Sequence, residues 1–134
     1  MDFETGWYIE GRVFFIKYRG SFTSEEIQQV GETRILPALE QSTQTVHLLV
    51  DVTEMPSIDF SIKDLVNDPR TAKRYLHPHT GHFVYIVAKH NTDYFHLLAS
   101  FVTQVYGTQT HVCESYEAAL EYLREVDPSL PDLG

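Results

Sequence analysis

The chain has 134 residues, 43 % of them apolar and 13 % aromatic, which is enough material for one globular domain whose core needs no disulfide or structural metal. Acidic residues outnumber basic ones 19 to 10, for a formal charge of −9; that average field repels phosphate backbones and anionic bilayers, so general nucleic-acid binding is disfavoured. Cys113 is the only cysteine, which excludes an internal disulfide and suits a reducing compartment.

Met1 to Gly6 carries no basic stretch leading into an apolar one, and no apolar run is long enough to span a bilayer. The expected location is the cytoplasm. Trp7–Glu10 and Arg12–Tyr18 are aromatic and β-branched and predict two strands, with Glu10 and Gly11 as a hairpin turn. Thr23 with Glu26 three residues on forms a capping box, which predicts a helix running towards Ser42. Pro37 predicts a kink or restart within it.

Val46 to Val52 is an apolar run that predicts a strand buried on both faces, with Asp51 near its C-terminal end. Thr53 to Phe60 is expected to be a loop. Ser61 can cap a second helix, which Asp68-Pro69 divides. His82–Ala88 predicts the next strand. Asn91 or Thr92 is expected to cap a third helix. In it Phe95, Leu98, Ala99, Val102 and Val105 follow the helical period and are expected to face the core. Gly107 ends that helix. Thr108–Cys113 predicts a last strand. Ser115 caps a final helix with Tyr116, Ala119, Leu120 and Leu123 on its inner stripe.

The order β-β-α-β-α-β-α-β-α predicts an α/β fold: a mixed β-sheet with an N-terminal hairpin and helices packed on it. Residues 1–126 make the single domain, and 127–134, with two prolines, a flexible C-terminal tail.

This order, and the stretch Leu49-Val50-Asp51-Val52-Thr53-Glu54-Met55-Pro56-Ser57-Ile58-Asp59-Phe60-Ser61, resembles the STAS-like family. That family includes sulfate-transporter and anti-sigma-factor-antagonist domains, and the chain resembles more closely the stand-alone STAS/SEC14-like bacterial proteins. In the antagonists the third strand ends in an acid, and a loop closes with Asp-Ser-Ser or Asp-Ser-Gly at the next helix. The first of those serines is phosphorylated. Asp51 and Asp59 match the two acids, and Ser61 matches the second serine. Phe60 stands where the phospho-acceptor belongs. Phenylalanine has no hydroxyl, so a switch that places about two negative charges there cannot run through it. Ser61, Ser57 and Thr53 are the nearby hydroxyls that could substitute.

Other clusters have competing readings. His77, His79 and His82 are candidate metal ligands, or a polar turn whose rings face water. Lys63, Arg70, Lys73 and Arg74 form either an anion-binding face or, with Asp64 and Asp68 between them, a salt-bridged helix surface. Asp51, Glu54 and Asp59 are candidates for acid–base work or for holding the loop through backbone hydrogen bonds. His111 and Cys113 share a strand face and compose a conceivable nucleophile pair; a buried free cysteine is the plainer reading. Tyr75, Tyr94, Phe95 and Tyr106 are available to line a cleft between helices and sheet.

The resemblance and the missing catalytic signatures together predict a non-enzymatic regulatory or protein-interaction module. Its expected partner is a protein, with self-association to a homodimer included. Its expected docking loop holds Asp51, Thr53, Glu54, Ser57, Asp59, Phe60 and Ser61. No cofactor is expected. The alternatives are a SEC14-like carrier of a small apolar or anionic ligand, and a metal-dependent or Cys–His hydrolase.

Overall fold

A computed structural model describes residues 1–56, 58 and 60–131. Among them, five strands form one sheet in the order β1-β2-β3-β4-β5. β1 (Asp2–Ile9) pairs antiparallel with β2 (Val13–Arg19), and β2, β3 (Val46–Glu54), β4 (Thr80–Ile86) and β5 (Thr110–Cys113) run parallel. The sheet is therefore mixed, as the alternation of elements predicts.

Each parallel crossover moves one position in the same direction. Crossovers of one hand then put all their helices on one face. That face carries α1 (Ser24–Val30), a π-helical turn (Gly31–Ile35), α2 (Leu36–Gln41), α3 (Ile62–Asn67), α4 (Pro69–Tyr75) and α5 (Thr92–Tyr106). Only α6 (Tyr116–Val126) covers the other. The strand pleat separates two cores accordingly. Val46, Leu48, Val50 and Val52 of β3 join Phe83 and Tyr85 of β4 in the larger one. Leu49, Val84 and Ile86 meet Ala119, Leu120 and Leu123 in the smaller.

The local signals act as their chemistry demands. Thr23 and Glu26 form both bonds of the capping box, at 3.1 and 2.9 Å. Ser61 and Ser115 cap α3 and α6 by accepting from the backbone N–H of Asp64 and Ala118. Gly107 ends α5 at φ +72°, a conformation that costs a residue with a Cβ. Pro37 sits in the first turn of α2, just after the π-helical turn.

Several expectations need correction. β1 begins at Asp2, not Trp7; Asp2 and Glu4 face Arg19 across the hairpin, and their ion pairs at 3.6 and 2.7 Å extend a pairing that no apolar run announces. β3 continues through Thr53 and Glu54. Asn91 precedes α5 without capping it, because its side chain donates to the carbonyl of Met55. Val105 is 55 % exposed: the buried stripe ends at Val102, and Val105 joins Leu97 and Phe101 outside. The stretch after α6 is packed through residue 130. Asp127 contacts His47 and Arg12, partners distant in sequence, and Leu130 is buried beside Leu123. Among the described residues, no helix is long and apolar enough to cross a membrane.

Candidate functional site

The acidic bend after β3 starts inside the protein. Asp51 is 1 % exposed and points to the α6 face, as Leu49 does two residues earlier. Its Oδ1 accepts from the backbone N–H and the hydroxyl of Thr53, at 2.9 and 2.7 Å. Its Oδ2 accepts from the Tyr116 hydroxyl at 2.9 Å, with the Lys17 ammonium 3.9 Å away. Burial, then the hydrogen bond to Asp51, pushes the Tyr116 phenol well above its ordinary range. Glu54 is exposed and pairs with Lys17 at 2.6 Å. That bond is the main cause of the raised Lys17 pKa.

Beyond Glu54 the chain is pinned from the side of α5. His90 Nε2 donates to Pro56 O at 2.7 Å, and the Tyr94 hydroxyl donates to Phe60 O at 3.0 Å. Ile58 and Phe60 are half-buried against the larger core, and Ser61 is exposed with its oxygen engaged at the α3 start. Ser57 and Asp59 lie outside the described residues. Glu54 and Ser61 are thus exposed and Thr53 and Phe60 half-buried, while the Asp51 carboxylate is buried.

The histidines are drawn in different directions. His79 Nδ1 donates to Leu39 O at 2.9 Å, and its backbone N–H donates to His77 Nδ1. His82 Nδ1 lies 2.7 Å from the Tyr122 hydroxyl on the α6 side. Burial, then the neighbouring His47, depresses the His82 pKa. Among the described residues, no three His, Cys, Asp or Glu side chains are grouped so as to hold a metal ion. His111 stacks on Tyr122 at 4.0 Å between ring centres, while Cys113 Sγ faces the carbonyls of Tyr85 and Ser115. Burial raises the thiol's pKa, the opposite of what an activated thiolate requires.

The basic residues divide. Arg70 makes a two-bond pair with Glu25 and a second pair with Asp68, and Lys73 approaches Glu32 at 3.9 Å. Those bonds to Arg70 lower the Glu25 and Asp68 pKa values. Arg74 turns inward instead and is 6 % exposed. It borders an apolar cavity of about 80 Å³ between sheet and helices, where Tyr75, Tyr94 and Phe95 also stand. Tyr106 lies outside that lining. The charge pattern gave no sign of this: a Lys/Arg-rich α4 that follows Asp64 and Asp68 looks solvated along its whole length. No pattern in the sequence marks Arg74 as buried, because Gln28, which holds it, lies 46 residues away.

A five-stranded mixed sheet, helices on one face, and a β3 that ends in an acidic bend before a serine-capped helix define a STAS-like α/β domain. The chain belongs to the SpoIIAA-like family, whose model matches residues 13–124. Among solved structures it is similar to an uncharacterized protein of the DUF3478 family with a SpoIIAA-like fold from Shewanella loihica PV-4. The TM-score is 0.61 at 14 % identity, over 91 % of this chain and 92 % of that one, a likeness of fold. No curated protein matches the chain significantly. Family membership supports a regulatory module of STAS-like type in general terms.

Proposed function

We propose that the protein is a non-enzymatic cytoplasmic regulator that docks a protein partner on the rim from Thr53 to Asp64. The observation that carries this reading is the row Ile58, Phe60 and Ile62. These apolar side chains are partly exposed, between exposed Glu54 on one side and exposed Lys63 and Asp64 on the other. An apolar centre with a charged margin is the usual make-up of a protein interface. The buried hydrogen bonds of Asp51 and the bond from Tyr94 to Phe60 O would hold this rim in shape before a partner arrives. Such preorganisation limits the ordering cost of binding.

Phe60 occupies the position of the family's phospho-acceptor, so docking here does not depend on a phosphoryl group at that place. Ser61 and Ser57 are the hydroxyls left to carry one. The partner is another protein or a second copy of the chain.

Affinity capture with the wild type and with Ile62→Glu tests the reading. Ile62 opens α3, where an acidic residue suits the helix dipole, so the variant is expected to fold. The expected result is a partner held by the wild type, lost with Ile62→Glu, and protecting residues 53–64 from hydrogen exchange. A partner retained equally by the variant overturns the reading, as does a chain that stays monomeric and repeatedly captures nothing.

A further inference from the structure

Arg74 is a cation built into the interior. Its Nη1 donates to Gln28 Oε1 at 3.0 Å and to Arg70 O at 3.2 Å. Gln28 is itself 2 % exposed, and its amide nitrogen donates to Thr71 Oγ1 at 2.8 Å. That bond turns the Gln28 oxygen towards the guanidinium. Gly31 completes the cradle, since a Cβ there would lie 2.4 Å from Nη1.

Asp68 acts on this charge only from a distance, without an ion pair. Among the described residues, no carboxylate oxygen comes within 4.0 Å of Arg74; Glu25 and Asp68 are committed to Arg70, and Glu32 to Lys73. A buried charge without a counter-ion costs several kcal/mol, so it is found where something else repays the cost. A guanidinium is also the side chain best shaped to grip a carboxylate.

The space beside Arg74 is a cavity of about 80 Å³ walled by Val50, Val52, Phe83 and Val102. The Tyr18 hydroxyl stands on the same wall and donates to no described residue, whereas Tyr75 and Tyr85 satisfy each other at 2.7 Å. One fixed cation, one free donor and hydrocarbon walls complement an anionic head on an apolar body. The volume sets the size. It exceeds the roughly 30 Å³ share of one water and falls short of the roughly 150 Å³ that holds benzene in an engineered cavity.

We propose that this cavity binds a small carboxylic acid of about two to three carbons, its carboxylate on Arg74 and Tyr18 and its short hydrocarbon end against Val50, Phe83 and Val102. A long-chain lipid exceeds the space. Ile58 and Phe60 wall the cavity from the loop side, so an occupant touches the same segment that forms the outer rim.

Titrating the full chain with propionate and with propionamide, by ligand-observed NMR at neutral pH, tests the proposal. The two probes share shape and differ in charge. Propionate is expected to bind at least about tenfold more tightly than propionamide, and more tightly than palmitate or inorganic phosphate. Arg74→Met is expected to bring the ratio to about one. Tyr18→Phe, which keeps the packing, is expected to weaken propionate about three- to tenfold. Ile58→Trp, which fills the cavity from the loop side, is expected to abolish binding of both probes. Should Arg74→Met fail to fold, the wild-type ratio and Tyr18→Phe still decide. Equal binding of acid and amide by the wild type, binding of neither, or tighter binding of phosphate or palmitate overturns the proposal.

Discussion

Tyr116 donates its hydroxyl to Asp51 Oδ2 at 2.9 Å, tying the helix on one face of the sheet to the strand in its middle. Asp51 is 1 % exposed, and its other oxygen is already used by Thr53. The bond therefore does more than add an attraction. It satisfies a buried acceptor that water cannot reach.

Tyr116→Phe removes that donor and leaves the carboxylate oxygen with only the Lys17 ammonium at 3.9 Å, beyond hydrogen-bond reach. An orphaned buried acceptor costs about 1–3 kcal/mol. Urea unfolding is expected to show a lower midpoint with an unchanged slope. A change below about 0.5 kcal/mol would mean that Asp51 is hydrated after all.

Asp127 makes the fold sensitive to acid. Burial alone would raise its pKa, but hydrogen bonds from Ser129 and His47 outweigh burial and hold the carboxyl well below the usual range. A depressed folded pKa means stability that is full above the unfolded value of about 3.9 and is lost as pH falls through the folded one. His47 Nδ1 accepts from the His82 N–H at 3.0 Å, so Nε2 carries the hydrogen that meets Asp127. Asp127→Asn is expected to cost about 1.5–3 kcal/mol at neutral pH, the worth of hydrogen bonds to a charged group. The gap between wild type and variant is expected to close as pH falls below about 4, which unfolding curves at several pH values will show. A gap that is constant with pH removes the ionised carboxylate from the account.

What the sequence disclosed was local. Caps at Thr23, Ser61 and Ser115, the left-handed stop at Gly107 and the doubly buried β3 each follow from a few neighbouring residues, and the acidic bend is visible for the same reason. The parts that stayed hidden depend on partners far along the chain. Asp127 looked like the start of a loose tail because His47 is 80 residues away. Asp2 and Glu4 join a strand because Arg19 lies across the hairpin. Arg74 shares its charge pattern with Arg70, yet one pairs with Glu25 at the surface and the other is drawn inside by Gln28. Only the packing of α1 on α4 separates them.

Helical periodicity misplaced Val105, which yields a paired test. Val102 is fully buried and Val105 is 55 % exposed, three residues apart on α5. Val102→Ala opens a cavity in the larger core and is expected to cost about 1–3 kcal/mol. Val105→Ala leaves solvent contact and gains helix propensity, so its effect is expected to lie within about 0.5 kcal/mol of zero. Chemical denaturation of the two variants side by side is sufficient. Comparable losses at both sites would place Val105 in a contact this fold does not contain.

Gly31 reverses a familiar rule. Glycine to alanine inside a helix ordinarily stabilises by about 1 kcal/mol. Here the new methyl would sit 2.4 Å from Arg74 Nη1 and 2.5 Å from Cζ. The guanidinium has little freedom to step aside, because Gln28 and the Arg70 carbonyl hold it and the side chain is 94 % buried, from its 6 % exposure. Gly31→Ala is therefore expected to destabilise by about 1–3 kcal/mol, the usual cost of overpacking. Shortening Arg74 removes the clash, so the sign must invert in that background. In Arg74→Ala, the same Gly31→Ala change is expected to stabilise by about 0.5–1 kcal/mol. The coupling from the double-mutant cycle reads the contact directly. Additive effects would show that the guanidinium does not lie over Gly31, and would remove the cradle on which its inward position depends.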